Sequence, residues 1–154
     1  MSGKTILFAS DYSPASHEAL DFAASLARER GATLLIAHVS QLEEYPVGEL
    51  FDEAPRPSDA ELDELNALTV PDPRIRCEHR LLHGDAAEQI VALARQEQVE
   101  TIVVGARGGN GFVHWLAGSV ADAVLRQAPC EVIAYRPPEL SPQDGNLAKL
   151  TSRD

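Results

Sequence analysis

Three glycines and a serine stand at spacings that suit the binding of an anion. Gly105 and Gly108 follow an apolar segment, while Gly118 and Ser119 begin a helix-like run. Glycine admits positive φ and carries no Cβ, so backbone N–H groups around Gly105 and Gly108 can converge on a phosphate. The free N–H groups and the dipole of a helix N-terminus also favour an anion, to which the Ser119 hydroxyl can donate. The two ends together predict a two-sided phosphate clamp.

Neither standard phosphate motif is present in this stretch. No lysine follows the glycines as Walker A requires, and the GxGxxG fingerprint fails because His114 stands where its third glycine belongs. A plainer interpretation stays open, in which Gly105 ends a strand, residues 108–111 form a flexible turn and Ser119 only caps a helix. Arg107 is the single cation within the loop, and it either meets a phosphate or is solvated.

Asp11 is the second candidate for ligand chemistry. It directly follows the apolar run at residues 4–10. A carboxylate there either accepts hydrogen bonds from ribose hydroxyls or a base amino group, or forms an Asx-turn or helix cap. The residues themselves leave both interpretations open.

Strand-like and helix-like segments alternate along the chain. Short apolar runs are typical of strands buried on both faces, and Pro14 and Gly31 suit the first turn and the end of a helix. Residues 42–73, rich in proline and carboxylates, are the least determined part. The predicted strands are 4–10, 33–39, 75–82, 101–104 and 131–135; the predicted helices lie between Ser13 and Gly31, over 58–68 with a stripe of Leu62, Leu65 and Leu68, after the cap Asp85, and over Ser119–Arg126.

This alternation predicts an α/β three-layer sandwich, Rossmann-like or flavodoxin-like, with a five-stranded parallel sheet in the order 3-2-1-4-5. We expect one domain over residues 1–138 and a disordered tail over 139–154. Ligands of such sheets bind beyond the carboxyl ends of the strands, where the strand order reverses. Three residues, Ala9, Ser10 and Asp11, should therefore lie opposite Val104 and Gly105.

Composition narrows the class of partner. The 154-residue chain has 24 acidic and 13 basic side chains, a net charge of −11, which argues against nucleic acid or an anionic membrane as partner. No apolar run approaches the roughly 20 residues that span a bilayer, so we expect a soluble, cytoplasmic protein. Cys77 and Cys130 lack CxxC spacing and are interpreted as small buried hydrophobes. His79 and His83, four apart on a strand, do not predict a metal site.

The spacing GxxGx9G[ST], from Gly105 to Ser119, resembles the ATP-binding pattern of the universal stress protein family. Other stretches are similar to that family as well: ILFASDYSPAS, AHV, HGDAAEQIVALARQEQVETIVVG and GSVADAVLRQAPCEVIAY. The resemblance spans residues 3–136 and is weakest over 42–73. Members commonly read GxHGRxG after the fourth strand, whereas here Arg107 replaces the histidine and Gly109 the arginine.

This resemblance implies a fold like that of the adenine nucleotide alpha hydrolases and a bound ATP, or AMP or ADP in its place, with or without Mg²⁺. Carried over position by position, the family's contacts place Ala9, Ser10 and Asp11 around base and ribose, Val39 with its backbone at the adenine, and Val104, Gly105, Gly108, Gly118, Ser119 and Val120 along ribose and phosphates. Arg107 joins them as the cation of the loop.

The resemblance also implies a function, a nucleotide-responsive stress or regulatory protein. Such a protein acts through a regulatory protein partner or through a homodimer formed by antiparallel pairing of strand 131–135 across a two-fold axis. The alternative is a slow Mg²⁺-dependent ATP hydrolase or phosphotransferase, with Asp11 orienting metal or water and Arg107 on the phosphates. A module that binds no nucleotide is the third class. The residues show no strong catalytic constellation, which favours a binding protein with at most weak ATPase activity.

Overall fold

One sheet with helices on both of its faces forms the body of the molecule. The computed structural model describes residues 3–12, 14–40, 59–105, 119–135 and 149–152. The strands are β1 (Thr5–Ala9), β2 (Thr33–Ser40), β3 (Cys77–His83), β4 (Thr101–Gly105), β5 (Glu131–Tyr135) and β6 (Lys149–Ser152), and the helices are α1 (Pro14–Arg30), α2 (Asp59–Asn66), α3 (Ala86–Gln96) and α4 (Ser119–Gln127).

The parallel part of the sheet confirms the predicted topology. The strand order is β3-β2-β1-β4-β5-β6, and the first five strands run parallel. The apolar runs of β1 and β4 are buried along almost their whole length, as expected for parallel strands covered on both faces. β1 lies at the centre with β2 on one side and β4 on the other, so the strand order reverses there.

The helices form two layers because each presents one apolar stripe to the sheet. On one face, the small side chains of Ala23 and Ala27 in α1 pack with Phe8, and Leu65 at the end of α2 joins the same cluster. On the other face, Ile90 of α3 and Val124 of α4 pack against the sheet. The predicted three-layer sandwich is therefore confirmed.

Local signals in the sequence delimit the helices. The Asp85 carboxylate accepts a hydrogen bond from the Glu88 N–H at 3.0 Å and caps α3, as a residue of this type does at an N-terminus. Gly31 adopts φ of 61° directly after α1, a left-handed conformation that glycine allows without a steric penalty. The predicted start of α3 and the predicted end of α1 are confirmed.

Two predicted elements differ in detail from those observed. Leu62 was placed on the apolar stripe of the helix at 58–68, but its side chain is 37% exposed. Three leucines at steps of three drift around a helix of 3.6 residues per turn, so only Leu65 and Leu68 reach the core. The third strand was predicted from residue 75, but the Ile75 N–H donates to the Asp72 carbonyl at 3.1 Å in a turn, and β3 begins at Cys77.

The prediction of a disordered tail over 139–154 is wrong for its last part. Lys149–Ser152 forms β6, which pairs antiparallel with β5. The N–H and C=O groups along an edge strand are a template on which another segment can pair. Composition alone therefore gave a wrong prediction for Lys149–Ser152, because the conformation of this segment depends on its pairing with β5. Residues 139–148, 153 and 154 lie outside the described residues. The domain boundary at 138 stays a prediction.

Other expectations from composition concern membranes, metals and thiols. None of the helices in the described ranges is both long and apolar enough to cross a bilayer. The same ranges contain no group of three or more metal-ligating His, Cys, Asp or Glu side chains. Cys77 and Cys130 are free thiols and are only partly buried, and burial raises the pKa of each.

Candidate functional site

Six of the predicted site residues lie at the same edge of the sheet, the carboxyl edge of the parallel strands. Ala9 pairs with Val104 across β1 and β4, so the residues that follow each of them are neighbours beyond the strand ends. Ala9 also pairs with Ala37 of β2, which places Val39 two positions further toward this edge. The six are Ala9, Ser10, Asp11, Val39, Val104 and Gly105.

The phosphate side of the predicted site is described only at its far end. Helix α4 begins at Ser119 and leads from the carboxyl end of β4 to the amino end of β5, so its N-terminus faces the same edge as Gly105. Val120 is partly exposed in its first turn. Arg107, Gly108 and Gly118 lie outside the described residues.

The segment after β1 is held in place by two buried serines. The Ser10 N–H donates to the Ala37 carbonyl at 2.8 Å, which extends the β1 pairing by one residue. The Ser10 hydroxyl accepts from the Tyr12 N–H at 3.0 Å and from the Ser16 hydroxyl at 3.1 Å. The Ser16 hydroxyl in turn accepts from the Asp11 N–H at 3.3 Å. The first turn of α1 thereby fixes the backbone around Asp11, a residue that is only 7% exposed.

Tyr12 turns the chain from β1 toward α1. Its φ of 65° lies in the left-handed region, which is uncommon for a residue with a bulky side chain and is often found at functional sites. Its ring stacks on His38 with centroids 4.0 Å apart. Its hydroxyl is buried without a hydrogen-bond partner in the described ranges. Burial, followed by the charges of Glu64 and Glu61, raises the pKa of Tyr12, so the phenol stays protonated.

His38 supports the same turn from β2. Its imidazole is 8% exposed, and Nδ1 lies 2.7 Å from the carbonyl oxygen of Ser10. A carbonyl only accepts hydrogen bonds, so Nδ1 carries the proton in the neutral ring. Burial lowers the pKa of His38, outweighing the Ser10 carbonyl and the charges of Glu61, Glu64 and Asp11, which raise it. His38 is therefore a neutral donor that positions the backbone next to Asp11.

The β1–β2 end of the site carries negative charge. The Ser40 hydroxyl donates to Glu61 Oε1 at 2.6 Å, which ties α2 to the end of β2. The negative charges of Glu61, Glu64 and Asp11 all raise the pKa of His38. This end suits a ligand that donates hydrogen bonds from hydroxyl or amino groups. An anionic part of a ligand is better placed at the other end, toward the N-terminus of α4.

Sequence reasoning missed three residues that position this site: Tyr12, Ser16 and His38. Sequence analysis gave His38 no role of its own, although its place in the apolar run LLIAHV indicates a polar side chain inside the core. Buried polar groups need partners, and the partner of His38 is the Ser10 carbonyl. No local pattern marks Ser16, because its contacts with Ser10 and Asp11 depend on how α1 docks.

The fold and the edge residues define a class, the Rossmann-like α/β sandwich with its candidate ligand site at the switch point between β1 and β4. A sequence profile of the universal stress protein family matches residues 3–136. The chain belongs to the universal stress protein family.

Relatives of known sequence agree with this membership over nearly their full length. Universal stress protein A homolog 1 of Coxiella burnetii is 35% identical over 144 residues, which are 87% of this chain and 96% of the relative. A universal stress protein of Thermus aquaticus is 32% identical over 139 residues, covering 86% of this chain and 98% of the relative.

Solved structures of the family share the architecture. A universal stress protein in complex with cAMP aligns with a TM-score of 0.58 and 26% identity, over 87% of this chain and 97% of its own. The universal stress protein from Archaeoglobus fulgidus in complex with dAMP aligns with a TM-score of 0.60 and 27% identity, over 86% and 97%. Both of these relatives bind adenine nucleotides.

Proposed function

We propose that this protein binds an adenine nucleotide at the carboxyl edge of β1, β2 and β4 and acts as a nucleotide-responsive regulatory protein. The observation that carries the proposal is the convergence of Asp11, Val39 and Gly105 on one edge, the edge toward which the N-terminus of α4 is directed. The complexes of two relatives with cAMP and dAMP support it.

The polarity of the edge suggests how the nucleotide lies. Ribose hydroxyls and the base amino group are donors, and they suit the acidic end that contains the buried carboxylate of Asp11. The backbone of Val39, at the end of β2, is available to the base edge. Phosphates would then extend toward Ser119 and Val120 at the start of α4, together with Gly108 and Gly118 of the glycine pattern.

ATP is the ligand that the complete glycine pattern favours, with AMP or ADP as substitutes. Mg²⁺ binds one or two carboxylates together with phosphate oxygens, and Asp11 is the proposed carboxylate. Signalling follows if a partner or a second copy of the chain prefers one nucleotide state, since a ligand shifts an equilibrium only by its differential affinity. Arg107 is proposed to accompany the phosphates.

The ligand is tested first on the protein as purified. Denaturation followed by mass spectrometry of the supernatant should release an adenine nucleotide, and calorimetry with ATP, AMP and cAMP, each with and without Mg²⁺, should rank the affinities. Absence of any released nucleotide together with no heat of binding would contradict the proposal. Mg²⁺-dependent turnover that Asp11→Ala removes while binding persists would instead favour the hydrolase alternative.

The phosphate end is tested with Gly118→Val. A branched side chain at this position fills the space that we propose for the phosphates, so ATP binding should be abolished while the circular dichroism spectrum and the thermal transition persist. Gly3→Val is the matched control, because a Cβ at Gly3 meets no atom within 4 Å and the residue precedes the amino end of β1, opposite the site. An unchanged affinity of Gly118→Val in calorimetry would contradict the site.

A further inference from the structure

The outer edge of β5 holds a strand that differs from all the others. β6 runs antiparallel to β5, whereas every other neighbouring pair in the sheet is parallel. The register pairs Val132 with Ser152 and Tyr135 with Lys149, so β6 covers β5 from its second residue to its last. Within the described ranges, β6 is the segment that covers the outward-facing N–H and C=O groups of β5.

The edge beneath β6 is suited to strand pairing. Val132, Ile133 and Ala134 are buried, and their alternate side chains fill the cores on both faces of the sheet. The conformation of β5 is therefore set by the body of the protein and does not depend on β6. An apolar strand with a fixed conformation and an open row of N–H and C=O groups is a template for another chain.

A second copy of this chain would meet β5 in the same orientation as β6 does. A two-fold axis beside a sheet edge brings the two identical strands together antiparallel. The second copy and β6 would hydrogen-bond to the same outward-facing backbone groups of β5, and only one strand fits beside an edge. The two occupants therefore exclude each other.

We propose that β6 competes within its own chain with a second copy of the protein for the β5 edge, so that release of β6 permits self-association. The proposal rests on the proposed function in one respect: self-association is one of the routes by which the nucleotide state is proposed to be transmitted. A segment tethered a short distance from its site acts at an effective concentration of roughly millimolar. A pairing of only four residues is correspondingly weak, so the competition is reversible.

The first test removes the pairing of β6 in the full chain with Leu150→Pro combined with Thr151→Pro. Successive N–H groups of a strand point to opposite sides, so one of the two prolines removes a donor that faces β5 whichever way the register falls. We expect the dimer dissociation constant from sedimentation velocity to fall at least about tenfold. Leu150→Val with Thr151→Val keeps the β propensity and should behave as the unmodified chain. Equal constants for the proline and valine pairs, or no dimer in either, would overturn the proposal.

The second test locks β6 in place. Ala134 and Leu150 are directly opposite each other, within the distance that a disulfide spans, so cysteines at both positions, with Cys77→Ser and Cys130→Ser, should form an intrachain bond. The oxidised protein should remain monomeric at concentrations where the reduced protein dimerises. An oxidised protein with the intrachain bond that dimerises as readily as the reduced one would overturn the proposal.

Calorimetry on the same samples separates the two hypotheses. Variants that bind nucleotide normally but show the same association as the unmodified chain overturn the competition and leave nucleotide binding intact. An unmodified chain that binds no nucleotide overturns the proposed function, while the sedimentation results still decide whether β6 competes for the edge.

Discussion

Asp11 is a buried residue whose backbone is held in place. Its backbone N–H donates to Ser16, and its neighbour Ser10 is held by Ala37, Tyr12 and Ser16. These hydrogen bonds fix the backbone around Asp11, so little backbone freedom is lost when a ligand binds. The contribution of Asp11 should therefore show as affinity rather than as folding.

Asp11→Asn should weaken adenine nucleotide binding by roughly 10-fold to 100-fold. Hydrogen bonds to a charged group contribute about 1.5–3 kcal/mol, and each 1.4 kcal/mol corresponds to a factor of ten in affinity. Isothermal titration calorimetry measures the change. Asp21→Asn on the exposed face of α1 is the control and should bind as the unmodified chain does. If both variants bind equally well, Asp11 contributes nothing to affinity.

His38 makes the stability of the fold depend on pH. Its pKa in the folded protein lies below the ordinary value of 6.5 because burial disfavours the charged ring. The unfolded chain therefore binds the proton first as the pH falls, and stability that is complete above pH 6.5 is lost as the pH falls through the folded pKa. The charges of Glu61, Glu64 and Asp11 act in the opposite direction and reduce the lowering of the pKa without reversing it.

His38→Asn should be less stable than the unmodified chain at pH 8 by about 1 kcal/mol, because the bond to the Ser10 carbonyl and the stacking on Tyr12 are lost. The difference should shrink as the pH falls below 6.5, since the variant lacks the titrating ring. Urea denaturation at pH 8, 6 and 5 measures both effects. His17→Asn, at an exposed position of α1, is the control and should show neither effect. A stability difference between His38→Asn and the unmodified chain that does not change with pH would contradict the role assigned to His38.

At the scale of elements, the site depends on strands that the helices hold from both faces. Val39 and Val104 belong to the core that α3 and α4 cover, whereas His38 and Tyr12 lie toward the end that α2 reaches through Glu61. The N-cap Asp85 accepts a hydrogen bond from the Glu88 N–H and is not among the proposed ligand contacts. The two kinds of effect are therefore separable by mutation.

Asp85→Ala should lower the free energy of unfolding by about 1 kcal/mol, the usual effect of losing an N-cap, because the Glu88 N–H loses its acceptor. Nucleotide affinity of the folded protein should stay unchanged. Urea denaturation and calorimetry measure the two quantities. Gln96→Ala, at an exposed position in the last turn of α3, is the control, and equal stability of both variants would show that the cap contributes nothing.

At the scale of the whole molecule, the net charge of −11 opposes self-association. Two copies of like charge repel one another, and dissolved salt shortens the reach of that repulsion from about 30 Å at 0.01 M to about 8 Å at 0.15 M. Any contact through the β5 edge is made mainly by backbone groups, which salt screens little.

Raising the NaCl concentration from about 10 to about 150 mM should therefore strengthen dimerisation several-fold. Sedimentation velocity over a range of protein concentrations gives the dissociation constant at each salt concentration. The oxidised variant with Ala134→Cys and Leu150→Cys, together with Cys77→Ser and Cys130→Ser, should remain monomeric and is the control. Dimerisation that weakens with salt would show that ion pairs between the copies dominate.

The amino-acid sequence by itself determined the periodic features of this protein. Buried apolar runs such as TILFA and TIVVG specify parallel strands, Asp85 and Gly31 delimit helices, and the resulting order of elements places Asp11 and Gly105 at one edge. The docking of elements distant in the chain decided the rest. Ser16 and His38 support the site only because α1 and β2 bring them to Ser10, and β6 exists because β5 offers it an edge. Local patterns report the preferences of a segment, whereas such contacts depend on what tertiary packing places beside it.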